Sequence, residues 1–305
     1  MNFVELLLPN FALIAVGFFI SRFTKLKRDV WNQIDAVVYY FLFPTLLFLS
    51  ITKTRIDVGA TSMFILAGLL LAAITVSITY SLPYWPGLGR HLDRRDHAAN
   101  AQIGFRFNSF IAIGVVSSAM GDPGMLLLGV LIGVCVPIFN MAAVYPMARH
   151  GDLHLLTQLR RNPLVWATTS GLAFNLMGFE IPQWLMPTLG RIGQAGLVLG
   201  LMAAGAGMKL MDLRHSKALA ISVLSMRHVI APLVATGLAW LLGLPKLEAS
   251  VLITFAAVPT ASSCYVLAAS MGYNGGLVAA MVTLSTLAAM LSLPWALGIL
   301  LPWLA

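Results

Sequence analysis

Long apolar runs separated by short polar segments recur along the entire sequence. With prolines, glycines and charged residues taken as boundaries, these runs predict ten membrane-spanning helices. They lie near residues 3–22, 33–52, 58–82, 98–120, 124–148, 162–180, 187–209, 216–243, 247–271 and 275–303. About 20 apolar residues allow a helix to cross a hydrocarbon core of roughly 30 Å. Because the runs are continuous and do not alternate as barrel strands do, we predict an all-α membrane protein of ten transmembrane helices.

The composition supports a location within the lipid bilayer. Of the 305 residues, 59% are hydrophobic and only 10% are charged, and the mean hydropathy is +0.87. A water-soluble protein of this composition would expose apolar surface that it could not bury. The net charge of +8 does not indicate a nucleic-acid partner, because the basic residues lie mostly in short loops between the predicted spans.

The distribution of lysines and arginines predicts the orientation of the chain in the membrane. With the N-terminus outside, 13 of the 19 basic residues fall in cytoplasmic loops and four fall in loops on the opposite side. Cytoplasmic loops carry an excess of Lys and Arg, so both termini are predicted to lie outside. The first apolar run precedes its basic cluster, which is the reverse of the order in a cleaved signal peptide, and we expect this span to be retained.

Two segments of the chain resemble each other at an offset of 151 residues. VVSSAMGDPGMLLLGVLIG, from Val115, aligns with VLAASMGYNGGLVAAMVTL, from Val266. The offset is close to half the chain, so the spans divide into helices 1–5, residues 1–150, and helices 6–10, residues 151–305. Because each half holds an odd number of spans, the second half crosses the membrane in the opposite sense. The sequence therefore predicts a five-plus-five inverted repeat.

Two helix-disturbing sites occupy equivalent positions in these repeats. The offset places Asn108, in the fourth span, opposite Pro259, in the ninth. A proline within a span removes a backbone hydrogen bond, and protein groups or cavity water must then satisfy the freed carbonyl. We predict that both spans are broken near the bilayer midplane. The N-termini of the resulting half-helices would present backbone N–H groups and partial positive charge to an anion.

The segments around both breaks resemble known motifs. RFNSFIAIG resembles the asparagine and glycine motif of the fourth span in the bacterial form of the auxin efflux carrier family, and AAVPTASSCYVLAASMGYN resembles the proline motif of its ninth span. The ten spans, the five-plus-five layout, the proline-bearing second span YYFLFPTLLF and the short central loop agree with this family over essentially the whole chain.

This resemblance implies the fold shared with bile acid sodium symporters, in which broken helices four and nine cross each other. It implies a scaffold domain of helices 1, 2, 6 and 7 and a transport domain of helices 3–5 and 8–10. It further implies a secondary transporter of small organic anions, such as carboxylates, dicarboxylates or auxin-like acids, working by an elevator-type alternating-access movement in the bacterial inner membrane. Asn108 and Pro259 become the crossover residues, and a homodimer would form through the scaffold helices.

Other polar residues near the breaks complete the candidate substrate-binding site. Hydroxyl side chains flank the breaks at Ser109, Thr260, Ser262 and Ser263. Arg106 lies two residues before Asn108, and an arginine within a span is costly enough to suggest a function. Two interpretations of Arg106 stay open. Its guanidinium attracts a substrate carboxylate, or it extends along the helix to the cytoplasmic interface.

A second intramembrane arginine, Arg227, is followed by His228 in the eighth span. Arg227 lies deeper from its loop than Arg106 does. We favour a structural role in which its guanidinium pairs with a backbone carbonyl or with Asp212. No role is assigned to His228.

Glycines give the seventh span a stripe of small residues, at positions Gly190, Gly193, Gly196, Gly200, Gly205 and Gly207. This spacing allows another helix to approach closely. We therefore expect a packing face on this span and no cofactor-binding loop.

Missing motifs limit the other classes of function. The sequence contains no HExxH, no GxSxG and no paired intramembrane aspartates, so we expect neither an enzyme nor a metal or organic cofactor. A P-loop is also absent, which leaves coupling to Na⁺ or H⁺ as the expected energy source. Cys135 and Cys264 lie within apolar spans, where cysteine acts as a small hydrophobe.

Two alternatives remain beside a transporter of organic anions. A bile-acid-type sodium symporter would need several oxygen ligands at the breaks, and neither break has an acidic residue next to it. In a non-transporting membrane sensor the two matched breaks would have no evident purpose. Binding of a ligand without its transport would favour the sensor.

Overall fold

The computed structural model describes residues 3–52, 62–150, 157, 160–207 and 216–304. Within these ranges the chain is helical and contains no β-strand, as predicted. The α-helices are α1 (Phe3–Phe23), α2 (Arg28–Val37), α3 (Phe43–Thr52), α4 (Ser62–Ser81), α5 (Arg94–Asn100), α6 (Gln102–Phe105), α7 (Ser109–His150), α8 (Pro163–Leu176), α9 (Met186–Gly207), α10 (Lys217–Ser225), α11 (Ala231–Leu241), α12 (Lys246–Ala257), α13 (Ser263–Ser270) and α14 (Gly275–Trp295).

Six helical stretches of the described residues are long and apolar enough to cross a membrane. They are Asp29–Leu49, Ser62–Tyr84, Ile111–Arg149, Met186–Gly207, Lys217–Leu241 and Gly275–Leu300. Other predicted spans fall on shorter or interrupted helices, such as the pair α12 and α13. These stretches make the chain a multi-pass membrane protein. The count of ten spans and the inverted arrangement of two repeats stay predictions.

Several helices begin where the sequence supplies a side-chain acceptor. Asp93, Asn162 and Asn274 each accept a backbone N–H from the first turn of α5, α8 and α14, at 2.8, 2.9 and 3.2 Å. Pro163 follows Asn162 at the first helical position, where a missing N–H breaks no helical hydrogen bond.

Three wide π-helical turns of the described residues, at Val38–Leu42, Met226–Ile230 and Ala296–Leu300, each end two residues before a proline, and the first two lie inside the chain's longer helical stretches. Pro44 and Pro232 lack the N–H that would bond a carbonyl inside those turns. The missing donor explains why the regular hydrogen-bond pattern changes there. The first turn joins α2 to α3, and the second joins α10 to α11.

Non-helical backbone interrupts the chain twice within otherwise apolar helices. The first break, residues 106–108, separates α6 from α7, and the second, residues 258–262, separates α12 from α13. Val258 is extended, with φ −65° and ψ 154°, as expected for a residue before proline. Both breaks lie at the positions predicted from Asn108 and Pro259.

Two glycines with left-handed backbone repeat the same spacing. Gly121 has φ 61° and kinks α7, and Gly272 has φ 76° just after α13. They lie 151 residues apart, which is also the separation of Asn108 and Pro259. A side chain disfavours this conformation, so glycine is needed at both turns.

The helices pack as two groups. In the first group, α9 lies along α1 and against α3, and α3 packs against α8. In the second, α7 contacts α4 and α12, α11 contacts α4 and α12, and α13 packs against α14. The groups meet where α7 touches α3 and α8 and where α14 touches α1 and α9.

The glycine stripe of α9 packs against both of its neighbours, which confirms the expected packing face. A Cβ atom on Gly205 would overlap the carbonyl of Ile14 in α1, and one on Gly200 would lie 2.5 Å from the Phe43 ring in α3. Gly190, at the other end of the same helix, has open space around it.

We expect Gly205→Ala to destabilise the protein by about 1 to 3 kcal/mol, because α1 must move away from α9 to admit the methyl group. Gly190→Ala is the matched control and should be neutral or slightly stabilising. Thermal unfolding of the purified protein in mild detergent measures both. Equal transition temperatures for the two variants would show that the α1–α9 contact does not depend on the missing side chain.

Candidate functional site

The two helix breaks are hydrogen-bonded to each other. The backbone N–H of Asn108 donates to the carbonyl of Pro259 at 2.8 Å. The side-chain oxygen of Asn108 accepts the N–H of Ile111 at 3.3 Å and so caps the first turn of α7. The residues that the sequence offset pairs are therefore in direct contact, and Asn108 both joins the breaks and starts a half-helix.

Arg227 binds the carbonyl ends of the half-helices that enter the breaks. Its Nε donates to Val258 O at 2.8 Å and its Nη2 to Phe255 O at 2.8 Å, at the end of α12. Its Nη1 reaches Phe105 O, the last residue of α6, at 3.4 Å. Helix C-termini carry partial negative charge, so a buried cation is well placed there. The predicted pairing of Arg227 with carbonyls is confirmed, whereas Asp212 lies outside the described residues.

Arg106 is the first residue of the first break, and its guanidinium is hydrogen-bonded to three neutral side chains. Its Nη1 donates to Gln102 Oε1 at 2.8 Å, and its Nη2 donates to Asn140 Oδ1 at 2.9 Å and to Ser263 Oγ at 2.7 Å. Only 4% of Arg106 is exposed, so the interpretation that it extends to the membrane interface is wrong. The bond to Ser263 instead ties the first break to the first residue of α13.

A small cavity lies between these groups and α3. Its free volume is about 50 Å³. Five of the predicted site residues line it: Arg106, Asn108, Ser109, Ser262 and Ser263. Phe43, Leu46 and Leu47 of α3 form the opposite wall, and Val136, Phe139 and Asn140 of α7 contribute as well. The N-terminal residues of both α7 and α13 therefore face one cavity.

The other two predicted site residues, Pro259 and Thr260, do not line this cavity. Pro259 contributes the carbonyl that Asn108 binds. The backbone N–H of Thr260 donates to Ser285 Oγ of α14 at 2.9 Å, and its hydroxyl lies 3.5 Å from Cys264 Sγ. Both residues hold the shape of the second break.

Thr260 belongs to a hydrogen-bonded chain that passes through His228. Ser285 and Ser292 lie 2.8 Å from His228 Nε2 and Nδ1, respectively, and Ser292 Oγ donates to Ala257 O at 3.2 Å. Since Ser292 uses its proton on that carbonyl, it accepts from His228, which assigns the Nδ1–H tautomer. His228 thereby fastens α14 to both sides of the second break.

The electrostatics of the cavity follow from these contacts. Its described lining contains the guanidinium of Arg106 and no carboxylate, and two helix N-termini add partial positive charge. Nowhere among the described residues do three His, Cys, Asp or Glu side chains cluster closely enough to hold a metal ion. The arrangement is suited to binding a small anion by hydrogen bonds and charge.

Part of the site was not predicted from the sequence. Gln102 lies four residues before Arg106, and this helical spacing is a signal that could have identified it. Asn140 is a lone amide in an apolar run and also offered a signal. The apolar lining of the cavity gave no such signal, because Phe43, Phe107 and Phe139 look like ordinary core residues in the sequence.

Comparison with known proteins shows that the chain is similar to membrane transport proteins. Residues 147–297, about half of the chain, match the sequence model of a family described as "Membrane transport protein". The chain is 25% identical over 298 residues to an "Uncharacterized transporter" of Methanothermobacter thermautotrophicus, a match that covers 96% of this chain and 97% of that protein. It is 23% identical over 217 residues to the "Uncharacterized transporter YfdV" of Escherichia coli K12, covering 67% of this chain and 68% of that protein.

We expect Arg227→Met to destabilise the protein by about 2 to 4 kcal/mol, because carbonyls at the ends of two half-helices lose their donors inside the membrane. Arg191→Met makes the same substitution at an exposed position of α9 and should have little effect. Unfolding by increasing denaturing detergent, followed by tryptophan fluorescence, compares the two. Wild-type stability in Arg227→Met would contradict the capping role.

Proposed function

We propose that the chain is a secondary transporter of a small organic anion and a member of the membrane transport protein family, whose model matches residues 147–297. The observation that carries the proposal is the convergence of Arg106 and two helix N-termini on one cavity without a carboxylate in its described lining. We place the substrate carboxylate there.

The chemistry of the cavity favours a carboxylate over a neutral or cationic solute. Arg106 offers planar, paired N–H groups whose present acceptors are neutral oxygens. A carboxylate would form shorter and stronger charge-assisted hydrogen bonds than those oxygens do. The hydroxyls of Ser109, Ser262 and Ser263 line the same space and would complete the polar contacts.

The position of the cavity supports alternating access by movement of one helix group past the other. One wall belongs to α3, and the other belongs to the breaks and α7, which lie in the second group. Ligand pockets usually have several hundred Å³, so a cavity of about 50 Å³ must enlarge to admit a carboxylic acid. Sliding the second group along α3 would open the site.

The spacing of the breaks supports the proposed inverted repeat with crossing helices. Asn108 and Pro259 lie 151 residues apart, as do the left-handed glycines Gly121 and Gly272. Two copies of one five-helix unit would produce such matched pairs of irregular backbone positions at a single offset. In this arrangement the first packing group is the scaffold domain and the second is the transport domain.

Reconstituted transport tests the proposed function directly. Proteoliposomes loaded with unlabelled acetate, malonate, succinate or indole-3-acetate are mixed with the same labelled acid, and exchange is followed without any ion gradient. At least one acid should exchange faster than in protein-free liposomes. Binding of these acids without exchange would favour a sensor, and exchange of none would contradict the proposal.

We expect Arg106→Gln to lower the exchange of the preferred acid by about 10- to 100-fold, because it removes the charge that binds the carboxylate. Arg191→Gln, on the exposed surface of α9, is the matched control and should exchange at the wild-type rate. Unchanged exchange in Arg106→Gln would show that the carboxylate binds elsewhere.

Asn108→Ala and Pro259→Ala test the breaks themselves. Asn108→Ala removes the cap of α7, and Pro259→Ala restores an N–H that lets α12 continue toward α13, so both should lower exchange at least tenfold. The same liposome assay applies. Wild-type flux in both variants would reject the site.

A further inference from the structure

A second, larger cavity of about 500 Å³ lies beside the first. Its polar lining consists of Asn32, Asp35, Tyr39, Tyr40, Ser270, Tyr273 and Asn274. The Arg28–Val37 helix follows the first basic loop, and Asn274 lies between the ninth and tenth predicted spans, so both belong to the predicted cytoplasmic side. We refer to this space as the vestibule.

The vestibule and the small cavity are stacked about one helical turn apart. On the second predicted span, Tyr39 lines the vestibule and Phe43 lines the small cavity. On α13, Val266 lines the vestibule and Ser263 the small cavity. Three or four residues of helix correspond to about 5 to 6 Å along its axis. A solute leaving the small cavity toward the predicted cytoplasmic side therefore enters the vestibule.

Asp35 places a carboxyl group in this vestibule. It is 9% exposed, and Oδ2 accepts the hydroxyl of Tyr265, an α13 residue, at 2.7 Å. The pair joins α2, which packs against α9 of the first helix group, to α13 of the second. Between the two cavities, α13 thus carries Ser263, bound to Arg106, and Tyr265, bound to Asp35.

Among the described residues that line the vestibule, the other titratable groups are tyrosines. Tyr39 and Tyr40 lie on the turn that follows Asp35, and Tyr273 lies on the loop before α14. The Tyr273 hydroxyl donates to Met147 O at 2.6 Å, and the guanidinium of Arg95 lies 5.5 Å from the centre of its ring. Burial raises the pKa of Tyr273, so it does not titrate near neutral pH. The described part of α9 contributes only Gly207 to the lining.

An anion on this path meets like charge at Asp35 when that group is ionised. Two negative charges repel strongly where surrounding protein keeps the effective dielectric constant low. Resting on the proposed function, we propose that Asp35 binds the proton that is co-transported with the anion. A proton from water converts the carboxylate to the neutral acid while the anion passes, and it is released again on the opposite side. Each monoanion then moves with one proton.

Proton coupling is measured in proteoliposomes with the acid that exchanges fastest and with the pH indicator pyranine trapped inside. When the interior is one pH unit more alkaline than the outside, the inward proton gradient can drive about tenfold accumulation of the anion in a one-to-one symport. Wild type should reach several-fold accumulation and acidify the interior during uptake. Asp35→Asn should lose both responses when each is normalised to the exchange rate of that variant. Asp29→Asn, the same change at an exposed position of α2, should behave as wild type.

The outcomes separate this inference from the proposed function. Wild-type exchange without proton uptake would overturn the role of Asp35 and leave anion transport intact, whereas absence of exchange would overturn both. Full proton coupling in Asp35→Asn would also overturn the role of Asp35. Loss of all exchange in a monodisperse Asp35→Asn protein would overturn this role too, because the carboxamide imitates the protonated acid and should still allow exchange. Accumulation driven by a Na⁺ gradient at constant pH would show that the coupling ion is sodium and would contradict proton coupling at Asp35.

Tyr265→Phe gives an independent test that keeps the carboxyl group. The Tyr265 hydroxyl stabilises ionised Asp35, so its removal should shift the pH of half-maximal uptake upward by about one unit. The shift should vanish when Tyr265→Phe is combined with Asp35→Asn. An identical pH profile in Tyr265→Phe and wild type would contradict proton binding at Asp35.

Discussion

Peptide groups that leave the α-helix inside a membrane must find every hydrogen-bond partner within the protein, because lipid offers none. Both breaks in this chain meet that constraint through contacts between distant segments. The Asn108 N–H binds the Pro259 carbonyl, so each break partly satisfies the other. Further partners come from the eighth and tenth predicted spans: Arg227 donates to Val258 O, and Ser285 Oγ accepts the backbone N–H of Thr260. The breaks are therefore stable only as one assembled unit.

This constraint also separates the roles of the two buried arginines. Helix carbonyl ends carry partial negative charge, and Arg227 neutralises it with three direct hydrogen bonds. Helix N-termini carry partial positive charge, and Arg106 adds to it. Its partners Gln102, Asn140 and Ser263 orient the guanidinium but bring no negative charge. At the carbonyl ends, the charge of Arg227 is balanced by the helix dipoles. At the N-termini, the charge of Arg106 has no negative partner in the described lining of the cavity, and this side is suited to a bound anion.

The sequence predicted the breaks because their causes are local. A proline and a capping asparagine act on their own turns, and the offset of 151 residues linked Asn108 to Pro259 before any contact was known. The partners of Arg106 and Arg227 could not be predicted in the same way. Asn140 and Val258 come from other helices, and only tertiary packing brings them within reach. The same reason applies to Thr260, because only tertiary packing places its backbone N–H against Ser285 of α14.

The placement of charge along the path has a consequence for the direction of movement. Arg106 belongs to the helix group that would slide, whereas Asp35 lies on α2, beside the other group. A bound carboxylate neutralises Arg106, so the loaded group carries one positive charge fewer than the empty one. Moving one charge across 100 mV involves about 2.3 kcal/mol. A membrane potential should therefore act mainly on the empty group as it returns.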